Sequence, residues 1–205
     1  RWGQTADVVI RMPCGAGVGA GPFHSQTNEA WFTHTPGLKV VYPAFPYDAK
    51  GLLASSIEDP NPVLFFEHKA LYRTIRQEVP TAYYNLELGK AALVTTGHQL
   101  TLVAYGAAIH WALEALEAEN EWSVDLIDLR TLVPLDFDTI SESVKKTGKV
   151  LLISEDSSFG TLMADISAKI GEELFVYLDA PVKRLSSLDM PIPFAAALED
   201  LYLPK

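Results

Sequence analysis

The chain's greatest chemical potential lies in one run, Cys14-Gly15-Ala16-Gly17-Val18-Gly19-Ala20-Gly21-Pro22-Phe23-His24-Ser25-Gln26. Alternating glycines after a strand-like stretch let a backbone approach another group closely or turn with positive φ. Gly15, Gly17 and Ala20 satisfy the relaxed G-x-G-x-x-A dinucleotide spacing. Pro22 and Phe23, however, stand where a phosphate-facing helix should already be running, and Leu38–Tyr42 ends without an acidic ribose partner. No Walker A lysine follows. A loop that is either flexible or tightly packed is the alternative to a nucleotide cradle. His24 closes this run, where the loop meets a short helix. A histidine near a helix start, with hydroxyl and amide neighbours, can hold one tautomer and give or take a proton. A surface or structural histidine is the competing interpretation.

Other chemistry-bearing residues are sparser. Cys14 has no sequence neighbour that would lower its pKa, so packing is expected for it rather than nucleophilic attack. His34, His68, His98 and His110 are scattered without H-x-x-x-H or H-x-x-E spacing, which argues against zinc. Gly-x-Ser-x-Gly is absent, removing the α/β-hydrolase elbow. Glu155-Asp156-Ser157-Ser158 follows a strand-like run, at the kind of strand end where α/β sheets collect ligands; capping of the next helix is the equal alternative. Ser56-Ile57-Glu58-Asp59-Pro60-Asn61-Pro62 ends a helix and turns into a strand. Its oxygens could hold a hard cation, but Asp-Pro and Asn-Pro also mark an ordinary turn.

These residues need elements to position them. Asp7–Met12, Leu38–Tyr42 and Pro62–Glu67 are short, β-branched and strand-like, with helical spacing between them at Asn28–Thr33 and Asp48–Glu58. From His68 to Gly89 the periodicity fades into a charged, proline-containing stretch. A second alternating set then follows. Strands are expected at Leu100–Tyr105, Ser123–Leu129, Lys149–Ser154 and Val182–Leu185. Helices are expected at Ala107–Glu119, Asp136–Lys146 and Leu162–Ile170, with Asp136 as N-cap and Gly148 as stop. Near-continuous apolar strands joined by helices predict an α/β fold with parallel sheets covered on both faces.

The 205 residues carry a net charge of −10, and 48% of them are hydrophobic. That balance excludes disordered and fibrous classes and disfavours nucleic acid as the main partner. No apolar run approaches a membrane span. A single cysteine allows no internal disulfide. The start at Arg1, without Met and just before a strand, suggests part of something longer.

Three groups of residues then carry a resemblance. The runs are F-H-S-Q-T-N-E-A-W-F-T-H-T-P-G-L-K-V-V-Y-P, D-A-K-G-L-L-x-x-x-I-E-D-P-N-P-V-L-F-F-E-H-K-A-L-Y-R, and, downstream, V-D-L-I-D-L-R-T-L-V-P-L-D with K-T-G-K-V-L-L-I-S-E-D and L-D-A-P-V-K-R-L-S-S-L-D-M-P-I-P-F. Over essentially the whole chain it resembles the β subunit of thiamine-diphosphate-dependent 2-oxo acid dehydrogenases. The branched-chain (2-oxoisovalerate) type is most similar and the pyruvate type second. The resemblance implies the back half of a pyrimidine-binding domain at residues 1–75, a linker at 76–88 and a transketolase C-terminal domain at 89–205. It implies that His24 is the active-site histidine, assisting proton transfer during reductive acylation of lipoyl groups. It also implies a structural potassium site at Ser56, Asp59 and Asn61 with the backbone of Ala6, Val8 and Val9.

By the same resemblance, the glutamate that protonates the aminopyrimidine, and the aromatic residue that stacks on it, lie upstream of Arg1. The diphosphate and its magnesium are held by a partner α chain or domain. No cofactor-binding residue is therefore assigned within these 205 residues, and the chain alone is expected to be inactive. The segment 154–164 departs from the family, which has a His-Glu pair and a fuller glycine cluster there. Implied partners are the α chain, a second β chain in a heterotetramer, and a basic domain of the lipoyl acyltransferase. The implied setting is branched-chain amino acid degradation, in the cytoplasm of a bacterium or in a mitochondrial matrix. The alternative functions are a non-catalytic assembly module or a pyruvate dehydrogenase β subunit.

Overall fold

The β-branched stretch near the start forms strand β1 (Val9–Cys14), shifted two residues from its expected place. In the computed structural model, which describes residues 3, 5–119 and 121–204, β1 pairs in parallel along one side with β3 (Val63–His68). Pro13, which has no N–H to give a second neighbour, suits this edge position. Between them lie two single turns of helix, α1 (Gly21–His24) and α2 (Ala30–Thr33), then strand β2 (Lys39–Val41) and helix α3 (Pro46–Glu58). Helix α3 begins two residues before its expected start because Pro46, following an extended Phe45, takes the first helical position. Helix α4 (Leu71–Thr74) is again one turn.

The second set comprises strand β4 (Ala92–Thr95), strand β5 (Leu100–Ala104), helix α5 (Ala107–Ala118), strand β6 (Val124–Asp128) and strand β7 (Thr131–Val133). It continues through helix α6 (Phe137–Thr147), strand β8 (Val150–Ser157), helix α7 (Leu162–Glu173), strand β9 (Lys183–Ser187) and helix α8 (Ala196–Tyr202). Asp136 caps α6 as expected: its carboxylate accepts from the Thr139 N–H at 3.3 Å and the Thr139 hydroxyl at 2.9 Å. Gly148 ends the helix in the left-handed conformation.

The sheets are parallel as expected except at one edge of each. The first sheet runs β1-β3-β2-β7 and the second β4-β6-β5-β8-β9, and each carries one antiparallel edge strand, β7 and β4 respectively. The reason for the first lies in the D-L-R-T turn. Arg130 adopts φ 55°, so the chain reverses after β6 and lays β7 against β2 of the other sheet. Arg130 then ties the halves together. Its guanidinium donates to the Asp48 carboxylate at 3.2 Å and to the carbonyls of Lys90 and Ala91, while its own carbonyl accepts from the Tyr42 N–H at 2.8 Å.

One apolar core runs through both sheets, joining Val40, Tyr42, Leu64 and Phe66 to Val103, Ile127 and Leu152. Tyr42 sits at its centre, its ring 5.6 Å from that of Phe66 and 5.4 Å from that of Tyr105. Residues 76–88 contain no helix or strand and lie along α3, where the Leu86 N–H donates to the Gly51 carbonyl at 3.2 Å and the Tyr84 ring stacks on Tyr47 at 4.7 Å. Among the described residues no helix is long and apolar enough to cross a membrane.

Asp128 at the end of β6 is fully buried. Burial pushes its carboxyl up to about 8, against the opposing hydrogen bond from the Arg130 N–H. A carboxyl that keeps its proton when folded and loses it when unfolded makes stability fall as pH rises from the ordinary carboxylate range to about 8. Asp128→Asn removes that titration. The stability of the variant relative to the parent should therefore rise with pH across this window, with a limiting slope of about 1.4 kcal/mol per pH unit. Urea midpoints from pH 5 to 8 measure this; a flat difference would contradict it.

Candidate functional site

His24 is the last residue of α1 and is exposed. The turn beneath it is fixed locally. The Ser25 N–H donates to the Gly21 carbonyl at 2.9 Å, and the buried Ser25 hydroxyl accepts from the Ala20 N–H at 3.1 Å. The glycine run before it is tightly packed at its two ends, Gly15 and Gly21, while Gly17–Gly19 are exposed. Gly15, at φ 92°, lies so close to the His68 ring that no side chain could be added there. A Cβ on Gly21 would lie 2.6 Å from the Phe194 ring.

Two of the loop's amide donors are engaged by carboxylates. The Ala16 N–H donates to Glu155 Oε1 at 2.7 Å and the Gly19 N–H to Glu199 Oε2 at 3.2 Å. A loop so occupied does not offer those amides to a phosphate, and two carboxylates beside it repel one. With those two amides taken and two carboxylates beside them, the Gly15–Ala20 run is poorly suited to cradle a phosphate.

Behind His24 the protein buries acid. Glu29 is fully buried; Thr27 donates to its carboxylate and Tyr105 donates to Oε1 at 2.6 Å. Burial holds the Glu29 carboxyl above the usual carboxylate range despite those bonds. Burial, reinforced by the charge of Glu29, pushes Asp156 up to about 7. A cleft of about 660 Å³ opens beside the His24 turn, lined by Pro22, Gln26, Thr27, Asp156, Phe159 and Tyr202 among others. A cationic or neutral polar group suits such walls better than a phosphate does.

Strand β8 runs on through Ser157, so Glu155 and Asp156 lie inside it, and α7 is preceded by Thr161. The capping role for these acids is therefore corrected: Glu155 meets the first sheet's loop and Asp156 lines the cleft. Glu155 Oε2 is 2.6 Å from His68 Nε2, and both residues are buried. His68 belongs to β3 and Glu155 to β8, so this contact joins the two sheets.

Cys14 is buried, with its thiol 3.1 Å from the Tyr42 hydroxyl. Burial raises its pKa far above that of a reactive cysteine, which accords with packing. His110 Nε2 lies 2.8 Å from the Ala44 carbonyl and His98 Nδ1 lies 2.9 Å from the Ser123 hydroxyl, each apart from the His24 turn. Ser56, Asp59 and Asn61 gather at the end of α3, and the Ala6 N–H donates to the Pro60 carbonyl at 3.2 Å, bringing the approach to β1 against the same turn. There the Asp59 carboxylate pairs with Lys39 and accepts the Asn61 backbone and side-chain amides, and the Ser56 hydroxyl donates to Leu52. Glu29 and Glu199 carry no signal in the sequence, and His68 appears there only as one of the scattered histidines. Contacts such as Gly19 with Glu199 and His68 with Glu155 span long separations and leave no local pattern.

Family models for "Transketolase, pyrimidine binding domain" and "Transketolase, C-terminal domain" match residues 1–74 and 89–205. The chain is 46% identical over 199 residues to the 2-oxoisovalerate dehydrogenase subunit beta of Bacillus subtilis, covering 96% of this chain and 61% of that protein. It is 44% identical over 206 residues to the pyruvate dehydrogenase E1 component subunit beta of the same organism, covering 100% and 62%. It is 44% identical over 199 residues to the acetoin:2,6-dichlorophenolindophenol oxidoreductase subunit beta of Cupriavidus necator, covering 96% and 59%. The chain thus spans about 60% of the length of these relatives. A solved structure described as a split gene transketolase, inactive beta4 tetramer, shares the fold, with TM-score 0.70 and 24% identity over 95% of this chain and 60% of that one. On these matches, the chain belongs to the transketolase family, carrying its pyrimidine-binding and C-terminal domain types in that order, and its relatives include 2-oxo acid dehydrogenase β subunits.

Proposed function

We propose that this chain supplies the histidine-bearing side of the decarboxylating component of a 2-oxo acid dehydrogenase complex. That component would oxidatively decarboxylate a branched-chain 2-oxo acid and pass the acyl group to a lipoyl group. One observation carries this: His24 stands exposed on a turn held rigid from behind, beside an acid-walled cleft. Two of the relatives, named for 2-oxoisovalerate and for pyruvate, differ little in identity to this chain.

Thiamine diphosphate, when bound, supplies the nucleophilic carbon and the electron sink for decarboxylation. The part of this chain is narrower. The exposed His24 imidazole, on the turn between Pro22 and Gln26 of the cleft lining, gives or takes a proton during acyl transfer. Asp156 and Asp189 give the cleft an acidic wall that suits a cationic heterocycle. With the amides of Ala16 and Gly19 occupied by carboxylates, diphosphate and magnesium are assigned to an α partner. A charge of −10 suits a basic docking domain on an acyltransferase through electrostatic steering.

The second proposal, an assembly module without catalysis, has its own support. Phe23, Phe159 and Phe194 are 78%, 87% and 57% exposed; Phe159 lines the cleft, and Phe23 and Phe194 lie 6.1 Å apart. His24→Ala in the assembled complex separates the two. Lipoyl acylation should fall by about 10²-fold or more while subunits still assemble; unchanged turnover with weakened assembly would favour the module. The 205 residues alone, given thiamine diphosphate, magnesium and 2-oxoisovalerate, should turn nothing over, and measurable turnover would reject the division of labour.

Ser56, Asp59, Asn61 and the backbone of Ala6, Val8 and Val9 remain our proposal for a potassium site. The Lys39 ammonium already balances Asp59, so a cation there would depend mainly on carbonyl, hydroxyl and amide oxygens. Melting temperature should be higher in potassium chloride than in choline chloride at equal ionic strength. Equal values would dismiss the site.

A further inference from the structure

A proton-transfer group must be held in place, yet His24 follows the most glycine-rich stretch of the chain. Residues from the second half of the molecule provide the restraint. Glu155 in β8 is the most enclosed of them, 4% exposed. One of its oxygens takes the Ala16 N–H at 2.7 Å and the other meets His68 Nε2 at 2.6 Å. The His68 ring in turn packs directly on Gly15, so one carboxylate fixes two successive loop residues, the first through a ring and the second through an amide. Glu199 in α8 takes the Gly19 N–H, and Phe194 lies against Gly21. These contacts fall at residues 15, 16, 19 and 21, immediately ahead of His24, and all but His68 come from elements beyond residue 150.

We infer that Glu155 is a positioning residue for His24, acting through the Ala16 amide and the His68 ring to set the loop that presents the imidazole. This rests on the assignment of His24 to proton transfer made above. Glu155 does not itself enter the cleft beside the turn, whose acidic lining is Asp156 and Asp189. Its influence on the reaction is therefore a matter of placement. Displacement of a reacting group by about 1 Å can cost about 10²-fold in rate. A charged hydrogen bond with both partners buried is strong enough to prevent such drift.

The test uses the complete complex, with His24→Ala, Glu155→Ala, Glu155→Gln and the double variant Glu155→Ala/His24→Ala. Glu155→Ala should lower the rate constant for lipoyl acylation by about 10- to 100-fold with little change in KM for the 2-oxo acid. Glu155→Gln, which retains an acceptor for the Ala16 N–H, should recover part of that loss. The double variant should be no slower than His24→Ala alone, because the two residues act as one unit. Hydrogen exchange over residues 14–24 should quicken in Glu155→Ala, and this readout does not depend on activity. Multiplying defects in the double variant, or unchanged exchange, would overturn the inference. If Glu155→Ala fails to assemble, the same cycle is run with Glu155→Gln, and additivity there overturns it equally. If His24→Ala itself leaves acylation intact, the assignment of His24 fails instead, a result that faster exchange in Glu155→Ala would not repair.

Discussion

Charge taken out of water must find partners, and that requirement organises this molecule around residues 15–29. Glu29, Glu155 and Glu199 are all buried, where an unpaired carboxylate costs several kcal/mol. Their partners are the Thr27 and Tyr105 hydroxyls for Glu29, the Ala16 amide and the His68 ring for Glu155, and the Gly19 amide for Glu199. The loop's shape and the acids' burial are thus one solution. Glycine at position 15 is required because the His68 ring occupies the space a side chain would need. The exposed His24 then inherits a rigid footing from groups it does not touch.

The legible parts of the fold are those where local chemistry decides conformation. Asp136 and Gly148 bracket α6 because a carboxylate can close the first turn and a left-handed glycine can close the last. The alternation of strand and helix is visible for the same reason. Strand β7 is not legible: three residues, Thr131–Val133, carry too little periodicity, and their placement depends on Arg130 reversing the chain and on β2 offering an open side. Strand β4 is hidden similarly among short apolar residues. The element ends err by one to three residues where tertiary pairing extends them, as when β8 continues through Glu155 and Asp156 to Ser157.

The site divides along the same line. His24 stands out in sequence because a histidine after a glycine run is unusual. Its supporting shell is silent, because Glu155 meets His68 across 87 positions and Glu199 meets Gly19 across 180. The acidic pair Glu155-Asp156 is visible in sequence at a strand end, but the contact of Glu155 with the glycine loop depends on the pairing of β8 with β5 and β9.

The crossing of β7 into the first sheet carries a consequence for dissection. A chain severed between residues 88 and 89 would leave the upstream fragment without the strand that covers β2 and without the guanidinium that steadies Asp48, and it would lay bare the Tyr42 side of its interior. The two pieces are better regarded as complementary halves of one folding unit, able to regain order on mixing, than as independently folding beads on a string.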